Sequence, residues 1–120
     1  MRLKTLALAT LSAGLVCFGL VGSGCAGTAS ANQIEVSAKE MKFTPSTLRA
    51  GPGRRTIVVH NHGTLTHTFS LNALGREVTI HPGKTRTLSV DLQPGTYRYV
   101  CRILDHEGLG MHGVLRVSAK

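Results

Sequence analysis

A chain of 120 residues, 42% apolar and 17% charged, has room for one small domain and excludes a multidomain enzyme. Its 14 Lys and Arg against 6 Asp and Glu give a net charge of +8. The basic residues are scattered singly apart from Arg54-Arg55 and are not interleaved with aromatics, which argues against nucleic acid as a partner. Scattered positive charge instead suits an acidic partner or an anionic membrane.

The first thirty residues read as an export signal rather than as part of the fold. Arg2 and Lys4 form a positive start, and Leu6 to Val21 is uncharged and mostly apolar. The stretch is too short and too Gly-rich for a permanent membrane span. Two cleavage sites compete. Ala29-Ser30-Ala31 fits ordinary secretory processing, which would make 1–31 the signal. Val21-Gly-Ser-Gly-Cys25 resembles a bacterial lipoprotein box, although Gly22 stands where Leu is usual. The second reading is preferred, because a Cys followed by a small, polar spacer directly after an apolar run has few other uses. It divides the chain into a signal at 1–24, a tether at 25–32 and a domain at 33–120. Removing Arg2 and Lys4 leaves 12 basic against 6 acidic residues, a net +6 for the mature protein.

From Gln33 onward the apolar pattern has period two, broken at short intervals by turn residues. Ile34 and Val36 come first, then Ile57 and Val59. His67, Phe69 and Leu71 share one face of the next run, with Thr66, Thr68 and Ser70 on the other. Val78 with Ile80, then Leu88, Val90 and Leu92, mark two more strands. Tyr97, Tyr99 and Cys101 share a face, and Leu115 with Val117 closes the chain. Gly51-Pro52-Gly53, Asn61-His62-Gly63, His81-Pro82-Gly83 and Pro94-Gly95 supply the turns. No amphipathic helix stands out. Some seven short strands in under ninety residues predict an all-β Greek-key sandwich.

Cys101, His106 and Met111 follow one another at intervals of five residues. A soft thiolate, an imidazole and a weak thioether suit a trigonal copper site, which a second His completes. His67 is the best candidate, since its parity points it inward with Phe69 and Leu71. Outside the cytoplasm thiols normally pair, and with Cys17 and Cys25 removed or lipidated, Cys101 is left as a lone free thiol, a flag for ligation. Zinc also accepts one Cys and two His, but Met111 argues for copper. His60 and His62 read as turn or surface residues, His81 as a solvated turn residue, His112 as a surface group beside the site, and Met41 as packing.

Three segments carry a family resemblance: Phe43-Thr-Pro45, Asn61-x-Gly63 with His67-Thr68-Phe69, and Pro94-Gly-Thr-Tyr97-Arg-Tyr99-Val-Cys101 with His106 and Gly110-Met111-His-Gly113. Together they resemble the plastocyanin/azurin family of cupredoxins over residues 33 to 120. The resemblance implies a cupredoxin-like sandwich holding one type 1 copper ion. Cys101 would be its thiolate ligand, His67 and His106 its neutral imidazoles, and Met111 its axial thioether.

Two departures stand out. Leu104-Asp105 precedes the loop His, where the family commonly has Pro or Gly. Arg102 follows the Cys, where Ser or Thr often ties the two ligand strands together. Thr68 is expected to donate to the loop backbone without its usual partner.

The leading expectation is an exported, non-enzymatic, monomeric electron carrier that cycles Cu(I)/Cu(II) between redox protein partners. It would sit in the periplasm or on the outer face of the cell membrane, held by lipid at Cys25. The alternative is extracytoplasmic copper delivery. A multicopper oxidase needs more His-x-His pairs than the single His60-x-His62.

Overall fold

Among the described residues, nine strands carry the alternation into two layers. The computed structural model describes residues 31–119, so the leader, Cys25 and most of the tether lie outside the described residues. The first sheet holds β1 (Gln33–Lys39), β2 (Lys42–Thr44), β4 (Gly53–Asn61) and β7 (Thr85–Leu92), in the order β2-β1-β4-β7. The second holds β3 (Thr47–Ala50), β5 (His67–Leu71), β6 (Arg76–Ile80), β8 (Gly95–Val100) and β9 (His112–Val117), in the order β3-β9-β8-β5-β6. β1 runs parallel to β4, and β3 runs parallel to β9; the other pairings are antiparallel. A short 3-10 turn, Asn72–Leu74, joins β5 to β6 and ends on left-handed Gly75.

The expected all-β sandwich is therefore present, with two strands more than the alternation revealed. β2 and β3 are three and four residues long, and each buries one side chain, Phe43 and Leu48. Strands so short show no period.

Between the layers, Ile34, Val36, Ile57, Val59, Leu88, Val90 and Leu92 meet Phe69, Leu71, Leu115 and Val117. Removing such apolar surface from water is the main stabilising contribution. Phe43, Phe69 and Tyr99 form an aromatic cluster, with Phe69 two residues after His67 and Tyr99 two before Cys101. Phe43 meets both other rings edge-on, at 5.6 and 5.3 Å between centroids, and Phe69 stacks on Tyr99 at 4.7 Å. The Tyr99 hydroxyl lies 3.0 Å from the carbonyls of both Pro45 and Ser46, which it can serve as donor, so β8 is tied to the β2–β3 turn. Burial holds this phenol well above its usual pKa, so it stays a donor. Gly113 is required here, because a Cβ would collide with the Tyr99 ring and the Ser46 carbonyl.

All five residues of β5 are buried, including Thr68 and Ser70 on the face opposite Phe69. β5 lies between β6 and β8, and its polar side chains have local partners: Ser70 Oγ donates to Asn72 Oδ1 at 2.8 Å. This full burial makes β5 a rigid mount for His67.

Candidate metal centre

His67 opens β5, Cys101 directly follows β8, and His106 and Met111 come from the loop that leads into β9. The loop folds back on itself through backbone bonds. Cys101 N–H donates to Met111 O at 3.0 Å, and Met111 N–H donates to His106 O at 3.0 Å. His106 N–H donates to Ile103 O at 3.0 Å, and Leu109 N–H to Asp105 O at 3.0 Å. These closures draw residues five and ten apart in sequence to one end of the sandwich. Asp105 takes a left-handed conformation (φ 65°), which Asp tolerates better than most residues, and its side chain is exposed. The carboxylate expected beside the site therefore faces water.

The ligand atoms of His67, Cys101 and His106 all lie within 4.8 Å of one another, the one such metal-ligating group among the described residues. Cys101 Sγ is 3.4 Å from His106 Nδ1, and the two imidazole rings are 5.2 Å apart at 56°. His67, Cys101 and Met111 are fully buried, and His106 is 8% exposed.

Both ring nitrogens of His67 are buried without a hydrogen-bond partner. Such groups are rare, since an unpaired buried polar atom costs about 1–3 kcal/mol. Burial, and then the neighbouring His106, hold the His67 pKa below its usual value, with Glu40 opposing. A neutral imidazole with a free lone pair is a metal ligand in waiting. Joined by a thiol and a thioether, this donor set fits a single copper ion.

The supporting contacts correct one expectation. Thr68 N–H points at Cys101 Sγ at 3.3 Å, and its hydroxyl can donate to the same sulfur at 3.8 Å. That hydroxyl does not donate to the loop backbone; it accepts from Arg102 N–H at 2.7 Å. A backbone amide thus replaces the missing Ser or Thr side chain, and the two ligand strands remain tied.

Sequence reasoning missed the device that holds the loop before His67. The Glu40 carboxylate, on the β1–β2 turn, accepts from both Thr64 N–H and Thr64 Oγ1. A Cβ at Gly63 would lie 2.6 Å from that carboxylate, so any larger residue there would displace Glu40 from Thr64. The bond to the Thr64 amide holds Glu40 down at a pKa of about 2. Behind it, buried Asn61 donates through Nδ2 to Leu65 O at 2.7 Å and Ile80 O at 2.9 Å, and accepts from Gly63 N–H at 2.9 Å. Asn61-x-Gly63 was a visible turn signal, whereas nothing near Glu40 in sequence points to Thr64.

The remaining histidines stand apart from the group. His60 is held between Glu35 Oε2 at 2.5 Å and Thr85 Oγ1 at 2.8 Å, with exposed His62 stacked on it at 5.9 Å. His81 is exposed, 3.3 Å from Thr66 Oγ1, and His112 is exposed at the start of β9. Met41 lies at the β1–β2 turn with a positive φ of 58° and is only partly buried. Leu65, Leu104 and Leu109 are the large apolar side chains most exposed to solvent, at 42, 83 and 63%, and all three belong to the ligand-bearing loops.

A family model described as a cupredoxin-like domain matches residues 9–117. Among solved structures, the chain is similar to dithionite-reduced auracyanin from the photosynthetic bacterium Roseiflexus castenholzii, with 20% identity and a TM-score of 0.64 over 72% of this chain and 97% of that one. It is also similar to auracyanin A, a blue copper protein of Chloroflexus aurantiacus, with 20% identity and a TM-score of 0.61 over 72% and 98% of the two chains. Auracyanin B gives 18% identity and a TM-score of 0.62 over 72% and 88%. No curated protein sequence matches the chain.

Proposed function

The chain belongs to the cupredoxin-like family, and on that premise we propose that it is an exported one-electron carrier whose copper ion is held by His67, Cys101, His106 and Met111. The observation that carries this reading is His67: both its ring nitrogens are buried and unpaired, beside a thiol and a second imidazole. The blue copper chemistry named for auracyanin A suits the same donor types.

Bound there, a copper ion supplies one-electron chemistry between its +1 and +2 states. The residues around it do the rest. Cys101 binds as thiolate, and the Thr68 amide and hydroxyl stabilise charge on its sulfur. Fully buried β5 and the aromatic cluster keep the imidazole of His67 in one orientation and exclude water. The loop closures hold His106 and Met111 in place, so little has to move when the charge changes. His106 retains slight exposure, and exposed Leu104 and Leu109 flank it in the same loop while exposed Leu65 precedes His67, apolar side chains suited to brief contact with redox protein partners.

Copper delivery needs ligands that can be exchanged; burial of the donor set favours retention. The test is a redox titration of copper-loaded protein alongside a copper(I) chelator challenge. A reversible one-electron wave with copper retained is expected. Rapid loss of copper to the chelator would favour delivery instead.

The tether belongs to the same reading. Cys25 would carry lipid, with the spacer up to Asn32 holding a monomeric domain outside the cytoplasm. No helix among the described residues is long and apolar enough to cross a membrane.

A further inference from the structure

Charge is unevenly distributed between the two ends of the sandwich. The strand registers bring the start of β1, the end of β3, the start of β4 and the end of β9 to one pole. The ligand group occupies the other. Arg49 and Arg116 are register partners on parallel β3 and β9, both exposed, side by side about one strand spacing (~4.8 Å) apart. Arg54 is exposed just past the β3–β4 turn. Arg55 folds back over that turn, where a Cβ on Gly51 would lie 3.1 Å from its Nη2. It donates through Nη1 to Arg54 O at 2.9 Å and Asn32 Oδ1 at 3.4 Å.

None of these four arginines has a carboxylate partner among the described residues, whose ion pairs are Glu35–His60, Glu107–Arg98 and Glu77–Arg102. Asp91, opposite Arg54 in the β4–β7 register, is the acid at this pole. Glu40, Asp105 and Glu107 lie in the turns at the ligand end. Adjacent like charges repel, a cost to the fold that a bound anion relieves.

The chain itself indicates which anion. It enters the fold at this pole, where Asn32 O accepts from Thr56 N–H at 2.9 Å. The uncharged apolar run from Leu6 to Val21 and the candidate lipid site Cys25 precede this entry point in the sequence. We propose that Arg49, Arg54, Arg55 and Arg116 form a docking face for anionic lipid headgroups, which sets the domain upright with His106 directed away from the bilayer. This rests on the tether reading above for its orientation, not for its charge. The attraction is one of charge, of a cluster of guanidinium cations to the net negative headgroups of anionic lipids, and a lysine in place of each arginine would keep it. The nine residues of β4 separate the two poles by about 30 Å, roughly three Debye lengths, so docking leaves the metal centre unperturbed.

The test is flotation of the full chain with vesicles of phosphatidylcholine, alone or with about 30% phosphatidylglycerol, read as the ratio of the two partition coefficients. Any apolar leader or lipid contributes to both, so the ratio isolates headgroup charge. The combined variant Arg49→Gln/Arg54→Gln/Arg55→Gln/Arg116→Gln is expected to lower the ratio at least about tenfold, as high salt does. Removing as many charges at the ligand end, with Lys39→Gln/Lys42→Gln/Lys84→Gln/Arg86→Gln, is expected to lower it less than about twofold, because those groups face away from the headgroups. The four Arg→Lys changes together are expected to retain most of it. Copper-loaded spectra of each variant report folding, and Arg54→Gln/Arg55→Gln alone serves if the fourfold variant misfolds. Equal losses in the arginine and lysine variants, or an unchanged ratio in the arginine variant, would overturn the docking face. Loss of binding to immobilised polyglutamate by an arginine variant whose vesicle ratio is unchanged would assign the pole to an acidic protein instead. Failure of the tether reading is separate: it shows as a wild-type chain that ignores phosphatidylcholine vesicles.

Discussion

The Thr68 amide lies 3.3 Å from Cys101 Sγ while the Thr68 hydroxyl receives the Arg102 amide at 2.7 Å, so one residue of β5 both polarises the sulfur and fastens the strand that carries it. Thr68→Val keeps the shape and the amide but loses the hydroxyl. The Arg102 amide then lacks its acceptor, and the apo protein should lose about 1 kcal/mol, measured by urea unfolding. With one donor fewer, the sulfur holds more negative charge and favours the oxidised ion, so the potential should fall. Thr68→Ser should restore both properties. A potential unmoved by Thr68→Val would show that the hydroxyl contributes nothing at the sulfur.

Glu40 gives the His67 loop a pH dependence. Its carboxylate titrates at about 2 in the fold against 4.5 ordinarily, because it accepts from the Thr64 amide and hydroxyl. A depressed carboxyl pKa stabilises the fold fully above about 4.5, and that stability fades as pH falls toward 2. Apo wild type should therefore exceed Glu40→Gln in urea midpoint at neutral pH, and the gap should close across that acidic window. A gap independent of pH would assign the effect to shape rather than charge.

Much of the fold could be read from the sequence, because each long strand repeats its parity several times. In β7, Leu88, Val90 and Leu92 are buried, with exposed Ser89 and Asp91 between them. β2 and β3 could not be read, since Phe43 and Leu48 are each a single buried residue in a very short run. The spacing of Cys101, His106 and Met111 named candidates that the loop does gather at one end. His67 was found by parity, and the structure places it against Cys101 and His106. The Glu40–Thr64 clamp joins residues 24 apart through side-chain and amide atoms, and no local pattern encodes such a contact. Thr68 was noticed with its role reversed, because sequence shows that a hydroxyl is present but not which way its bonds run.

Met111 is fully buried and held by its own backbone to Cys101 and His106. Met111→Leu conserves volume, which limits the packing cost to less than about 1.5 kcal/mol. The variant should keep copper and colour, with a higher potential, because loss of a donor destabilises the oxidised ion more. Metal analysis together with voltammetry reads both. Complete loss of copper would make Met111 indispensable for retention.

The proposed tether at Cys25 is tested by fractionation. In the native host, most of the protein should fractionate with membranes and resist high-salt washing, which screens charge but leaves acyl chains inserted. Cys25→Ala should release it or leave the precursor uncleaved. Recovery of wild type as a soluble species beginning at Asn32 would select cleavage after Ala31 and leave the metal centre unaffected.

The visible absorption spectrum of the copper-loaded protein tests the donor set most directly. A copper–thiolate bond gives intense charge transfer, so the oxidised protein should be strongly coloured and bleach with ascorbate. The band should vanish in Cys101→Ala and lose its native form in His67→Ala. It should survive in His60→Ala, whose partners are Glu35 and Thr85 rather than the buried donors. A Cys101→Ala protein that keeps the band would contradict the assignment at its centre.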